Sequence, residues 1–186
     1  MKQNIKYLII LFLSSSISSL IAQVGYIEKR NNVGDIVFDA STDNPKFDLI
    51  DEINILPYNS ICGFLIEGER FRVLEYYCNN FKSDTIDGVT GYITIRFIVN
   101  FKGETDRFRV YEMDNKYNPC KFPDNISKSL LELTRNLDGW ITLFDDKFDY
   151  YNCIEMEKNG EIKYAYDYYQ YILFKMKDGQ IETILP

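Results

Sequence analysis

Carboxylates are the side chains of this sequence that come closest to forming a chemical site. The chain of 186 residues has 28 aspartates and glutamates and no histidine, so the commonest general base and metal ligand are missing. Two short groups stand out: Asp145, Asp146 and Asp149, and Asp48, Asp51 and Glu52. A calcium loop starting at Asp145 would need glycine at its sixth position, where this chain has Tyr150. The pattern favours solvated acidic loops, and we expect no bound metal and no cofactor.

Cysteines offer the other possible chemistry. The chain has four of them: Cys62, Cys78, Cys120 and Cys153. In an exported chain this number permits two disulfides in three connectivities, and free thiols packed as small hydrophobic side chains are the alternative. No C-x-x-C pair is present, which argues against a thioredoxin-like or zinc-ribbon site. A nucleophile would need a base other than histidine, so we expect no catalytic residues and a protein that is not an enzyme.

Tyrosines are concentrated near the C-terminus, where a partner-binding strand is one interpretation. The candidate residues are Tyr164, Tyr166, Tyr168, Tyr169 and Tyr171. Tyrosine supplies a large contact area with a polar tip, but ordinary strand packing is the favoured alternative. The single tryptophan, Trp140, is interpreted as a core residue because it follows a predicted amphipathic helix.

The stretch GYITIRFIVNFKGETDRFRVYEMD, residues 91–114, predicts a β-hairpin. The first strand alternates, with Ile93, Ile95, Phe97, Val99 and Phe101 on one face and Tyr92, Thr94, Arg96, Ile98 and Asn100 on the other. We expect the first face to be buried and the second to be more open. Gly103 provides the positive φ that the turn requires. The return strand, 105–113, places Phe108 and Val110 together on one face.

Two helices flank the hairpin in the prediction. The first lies in ERFRVLEYYCNN, with Phe71, Leu74 and Cys78 at helical spacing. The second begins at Asp124 as its cap and ends at Gly139. Its apolar face is formed by Ile126, Leu130, Leu133 and Leu137.

The C-terminal region alternates again and predicts one long strand, or two with a bend near Tyr169. The residues expected on its buried face are Tyr164, Tyr166, Tyr168, Ile172, Phe174 and Met176. A short final strand from Ile181 to Leu185 is expected to pair back onto it.

The N-terminal segment MKQNIKYLIILFLSSSISSLIAQ is typical of a secretory signal, with lysines, a short apolar run and small residues. We expect cleavage after Ala22, since serines interrupt the apolar run before it reaches the ~20 residues of a membrane span. An uncleaved anchor is the alternative. The formal net charge of −7 argues against a nucleic-acid partner and against binding to anionic lipid.

The order of these elements resembles the C-terminal domain of TonB, the bacterial energy transducer. The likeness covers roughly residues 68–186 and rests on GYITIRFIVNFKG, on ISKSLLELTRNLDGW, and on YILFKMKDG in the last long strand. The resemblance implies an α+β domain with a three-stranded antiparallel sheet and two helices. It also implies an exported, periplasmic or secreted protein that adds a partner's strand to a sheet edge, which we place in residues 164–176.

The chain departs from that family in ways that affect function. It has five prolines and no long proline-rich segment, so energy transduction does not carry over. We therefore expect a signal peptide at 1–22, an N-terminal extension at 23–66 and a TonB C-terminal-like domain at 67–186. The expected function is protein–protein contact, with an outer-membrane or other envelope protein as partner and no membrane span after signal cleavage. A structural or accessory periplasmic protein without a transporter partner is the alternative.

Overall fold

The fold combines two helices with two antiparallel sheets. The computed structural model describes residues 36–52, 54–57, 63–146 and 153–186. The described elements are α1 (Glu69–Asn80), β1 (Gly91–Val99), β2 (Thr105–Asp114), α2 (Asp124–Asn136), β3 (Leu143–Asp145), β4 (Ile154–Lys158), β5 (Glu161–Tyr166), β6 (Tyr168–Lys177) and β7 (Gln180–Leu185). The larger sheet has the order β2-β1-β6-β7 and the smaller sheet the order β3-β5-β4. The predicted mixture of helices and antiparallel strands is confirmed, with four strands in the larger sheet instead of three and a second sheet beside it.

The predicted hairpin forms, and its first strand is central to the larger sheet. β1 pairs with β2 on one side and with β6 on the other. Arg96 faces Arg109, but Ile98 faces Asp106, so the ladder contains a bulge. Gly103 has φ 78°, and a Cβ there would lie 2.7 Å from the backbone oxygen of Trp140. The predicted need for glycine in this turn is confirmed, with a steric reason added to the conformational one.

The first helix forms where it is predicted but turns a different face to the core. Val73 and Tyr77 are its buried residues, whereas Phe71 is 74% exposed and Cys78 is also exposed. The ring of Tyr77 packs edge-on against Phe174 with centroids 4.8 Å apart. Of the three residues at helical spacing, Leu74 packs against the core, whereas Phe71 and Cys78 point outward because Val73 and Tyr77 occupy the buried side of the helix.

The second helix follows the prediction closely. Ile126, Leu130 and Leu137 are buried along its inner face. The helix cap is shifted by one residue, because Pro123 occupies the N-cap position and Asp124 is the first helical residue. The Asp124 carboxylate instead pairs with Lys128 one turn later, at 2.7 Å.

The main core lies between the two helices and one face of the larger sheet. Trp140 is buried there, as predicted, with its Nε1–H donating to the Leu137 carbonyl at 2.9 Å. Its ring packs edge-on against Phe97 at 5.0 Å, and Phe97 also stacks on Phe108 at 5.2 Å. The predicted buried faces of β1 and β6 are confirmed, since Ile93, Ile95, Phe97, Val99, Tyr168, Ile172, Phe174 and Met176 all belong to this core.

The opposite face of the sheet is less open than predicted. Ile98 is fully buried in a second apolar cluster with Ile36, Ile55 and Tyr169. Two of these residues, Ile36 and Ile55, come from the described part of the N-terminal extension, and they pack on the sheet. The C-terminal strand divides at Asp167, two residues before the predicted bend, and its two halves enter different sheets.

Candidate functional site

The five candidate tyrosines lie inside the sheets. Tyr164 and Tyr166 belong to β5, which runs between β3 and β4, and the other three belong to β6, which runs between β1 and β7. Tyr166, Tyr168 and Tyr169 are buried. The Tyr168 hydroxyl donates to the Ile141 carbonyl at 2.8 Å, and burial raises the pKa of this phenol. These contacts are those of strand packing, the alternative that the sequence favours.

Residues 164–176 do not form an open sheet edge, so the prediction of an exposed edge there is wrong. Both strands have neighbours on either side. Beyond the end of β7, Leu56 of the extension pairs with the backbone in its place. Tyr169 N–H donates to the Leu56 carbonyl at 2.9 Å, and Leu56 N–H donates to the Asp167 carbonyl at 3.0 Å. Whether these tyrosines bind a partner stays a prediction.

The two carboxylate groups take part in ion pairs. Lys163 pairs with Asp146 at 2.7 Å and holds the pKa of that carboxyl below its usual range. Lys102 pairs with Asp48 at 2.6 Å, and Arg107 pairs with Glu52. Asp149 lies outside the described residues. Within the described part of the chain, no group of three or more potential ligands has a geometry that could hold a metal ion.

Three of the four cysteines are free thiols. Cys78 is exposed, whereas Cys120 and Cys153 are half-buried. Burial raises the pKa of the Cys120 thiol, and the nearby Asp114 and Glu112 carboxylates raise it further by a smaller amount. A raised pKa makes a thiol less reactive. The fourth, Cys62, lies outside the described residues.

The sheet edges differ in how far they are covered. Residues 118–120 fold back on the outer side of β2, where Cys120 N–H donates to the Glu112 carbonyl at 3.1 Å. The β4 strand exposes Glu155, Glu157 and Lys158, and charges of this kind oppose pairing with another chain. These features leave β7, at the other edge of the larger sheet, as the best candidate for adding a strand.

A groove runs between β7 and α1 and forms the candidate site. Its volume is about 220 Å³. The residues that line it are Leu74, Tyr77, Cys78, Phe81, Gln180, Ile181, Glu182, Thr183 and Ile184. Arg70 on α1 donates through Nη2 to the Ile184 carbonyl at 3.3 Å. This carbonyl therefore faces away from β6 and towards the helix, as the outward groups of an edge strand do.

The margin of the groove carries an exposed aromatic side chain. Phe71, Leu74 and Cys78 are spaced by three and four residues, so they share one face of α1. Leu74 and Cys78 line the groove, which places Phe71 on the groove side of the helix. The helical spacing of these three residues in the sequence therefore indicated the groove side of α1, although such spacing by itself is usually taken to indicate a core-facing side.

Charge at the groove is balanced. Lys175 on β6 pairs with Glu182 on β7 at 2.7 Å, and the hydrogen bond from Lys175 lowers the pKa of the Glu182 carboxyl. Gln180 Nε2 donates to the Ser83 carbonyl at 2.5 Å at the opposite end of the strand. With these polar groups paired, the apolar side chains of α1 and β7 remain available to contact a ligand.

No family model, curated protein or solved structure matches this chain. In the part of the chain that the structure describes, the helices are too short or too polar to span a bilayer.

Proposed function

We propose that this chain is an exported envelope protein that acts through protein–protein contact, by adding an extended segment of a partner to the β7 edge. The observation that carries the proposal is the groove between α1 and β7, which combines an edge strand with apolar side chains. In strand addition, main-chain hydrogen bonds supply affinity, and pockets for alternate side chains supply specificity.

The groove has parts suited to both contributions. The Ile184 carbonyl already accepts a hydrogen bond from Arg70 on its outer side, and a partner strand would offer N–H groups along the same edge. Leu74, Phe81 and Ile181 lie beside this edge and would receive the apolar side chains of every second partner residue. Phe71, exposed at the margin, would extend the apolar contact.

The TonB-like order of elements supports an outer-membrane protein as the partner. An accessory periplasmic role without a transporter partner is the second candidate, and it is favoured by the lack of a proline-rich segment. Neither role requires chemistry at the site, so the proposed function is not enzymatic.

Export makes the first prediction. We expect the mature protein to begin at Gln23, because the apolar run is short and Ala22 is the small residue that a signal peptidase prefers. N-terminal sequencing of protein purified from the envelope fraction checks this. Intact Met1 on protein that stays in the membrane would contradict export by a cleaved signal and would favour the anchor.

Filling the groove should abolish partner capture. Cys78→Trp places a large ring in the groove from an exposed position on α1, so the fold should be kept while the edge is blocked. A partner that pairs with β7 should be lost, with at least about a tenfold fall in the amount captured from envelope extracts. Quantitative pull-downs with wild-type and variant protein measure this.

The matched control is Asn79→Trp, which adds the same ring to an exposed position of the same helix that does not share the face of Phe71, Leu74 and Cys78. It should capture the partner as well as wild type does. If both variants capture it equally, strand addition at β7 is wrong. If the groove-dependent partner is a periplasmic protein instead of an outer-membrane one, the accessory role replaces the transporter role.

A further inference from the structure

A second surface, on the opposite face of the larger sheet, carries an extended segment of the chain itself. We call residues 36–52 and 54–57 the strap. Between positions 36 and 57 the sequence has five carboxylates and one lysine. The strap lies over the hairpin end of the sheet, where Ile36 and Ile55 pack on Ile98 and Tyr169.

Three cations beneath the strap pair with three of its five carboxylates. Arg109 binds Asp43 through two hydrogen bonds of 2.7 and 2.6 Å, and the Asp43 side chain is only 1% exposed. Arg107 binds Glu52 through two hydrogen bonds of 2.5 Å. Paired, bidentate contacts of this kind give geometric specificity for carboxylates.

Further contacts combine charge with main-chain pairing. Lys102, in the hairpin turn, pairs with Asp48 at 2.6 Å. Leu56 exchanges two hydrogen bonds with the backbone at Asp167 and Tyr169, along the part of β6 that extends beyond the end of β7. The strap therefore holds a strand edge, an apolar cluster and three cations at the same time.

Arg107 shows that the strap does not satisfy this surface completely. Its side chain is 3% exposed, and its buried Nε has no hydrogen-bond partner among the described residues. It also has φ 60° at the bulge of β2, a conformation that is uncommon for a residue with a side chain and that often occurs at functional sites. A buried donor left without an acceptor is rare in folded proteins.

We propose that the surface beneath the strap is a binding site for an extended, acidic and apolar segment of a partner protein, and that the strap is its internal occupant. The partner would offer carboxylates to Arg107 and Arg109, apolar side chains to Ile98 and Tyr169, and its backbone to the edge now held by Leu56. This site is independent of the groove at β7, because it lies on the other face of the sheet and uses other residues.

The test weakens the strap and leaves the surface beneath it unchanged. Asp43→Asn with Glu52→Gln removes two carboxylates from the strap and keeps both arginines. The probe is a fluorescently labelled peptide with the sequence of residues 36–57, added to the full mature chain. Because a closed strap reduces the competent fraction, the double variant should bind the peptide about tenfold or more tighter than wild type does. Fluorescence anisotropy measures both affinities.

Three controls decide the result. A peptide of the same composition in scrambled order should bind neither protein. Adding Arg107→Gln and Arg109→Gln to the double variant should remove binding of the peptide. Adding Arg96→Gln instead should keep it, because Arg96 lies on the same face of the sheet but packs on the ring of Tyr111. The proposal would be overturned if the scrambled peptide bound as well as the peptide of residues 36–57. It would also be overturned if Arg96→Gln reduced binding as much as Arg107→Gln with Arg109→Gln.

Hydrogen exchange on wild-type protein tests the proposal without any substitution. The Tyr169 amide should exchange faster than the amides between β1 and β6, because opening the strap is a local event. Raising the salt concentration should speed its exchange further, since the Asp48 and Lys102 side chains are both exposed to screening ions. If Tyr169 exchanges only when the whole sheet does, the strap cannot open separately and the proposal is wrong.

Discussion

Replacing Phe97 by alanine is expected to lower the free energy of unfolding by about 3–5 kcal/mol. Phe97 is fully buried and touches Trp140 and Phe108 through its ring. Its removal leaves a cavity between the sheet and the helices that these large rings cannot fill. Denaturant unfolding of the variant and of wild type measures the difference.

The matched control is the neighbouring residue of the same strand. Arg96 is half-buried on the other face, where its guanidinium lies 4.7 Å from the centre of the Tyr111 ring. Arg96→Ala should cost less than about 1 kcal/mol, as for most substitutions near the surface. Equal losses for the two variants would mean that the faces of β1 are assigned wrongly.

The pH dependence of stability should be governed between pH 4 and 6 by Asp167. This carboxyl is 3% exposed, and burial raises its pKa from 3.8 to about 6, although it accepts hydrogen bonds from the backbone N–H groups of Ile50 and Phe101. A raised pKa means that the folded protein binds this proton more tightly than the unfolded chain does. The contribution of Asp167 to the free energy of unfolding is therefore highest below pH 4. It falls as the pH rises towards 6 and beyond, by about 3 kcal/mol in all.

Asp167→Asn should remove this slope, because an amide does not ionise. Chemical unfolding at pH 4, 5, 6 and 7 compares the two proteins, and the informative quantity is the change with pH and not the difference at one pH. Asp146→Asn is the control, since this exposed carboxyl pairs with Lys163 at the surface and its pKa is lowered. A wild-type slope that survives in Asp167→Asn would show that another group is responsible.

Asp43 acts in a separate pH range. Its burial opposes ionisation, but hydrogen bonds from Arg109 and from the Asp39 backbone bring its pKa down to about 2. A lowered pKa contributes stability above the ordinary pKa of 3.8, and this contribution is lost as the pH falls towards 2. The pH range of Asp167 is therefore separate from that of Asp43.

Local patterns in the sequence were sufficient for the two helices and the strands of the larger sheet, but not for β3 and β4, which form two of the three strands of the smaller sheet. Alternation from Ile93 to Val99 defined the hairpin strand and its buried face, because successive side chains of a strand point to opposite sides. The spacing of Ile126, Leu130 and Leu137 defined α2 for the corresponding reason in a helix. Gly103 marked the turn through its backbone conformation.

The tertiary structure decided which strands are edges and which surfaces are covered. Apolar and polar residues alternate in the same way in an edge strand and in a central strand, so the alternation in residues 164–176 does not show which of the two they form. The pairing of β6 with β1 and β7 decides this, and β1 is far from β6 in the sequence. The orientation of α1 was also decided by the tertiary structure. Its apolar residues from Phe71 to Cys78 face the groove because Tyr77 occupies the core side of the helix.

The strap was the hardest feature to predict. Asp43 and Arg109 are separated by 66 positions, so no local pattern in the sequence relates them. Sequence determined the helices and the strands of the larger sheet because their periods are local. Only the tertiary structure determined the two candidate binding surfaces, because both are built from residues distant along the chain.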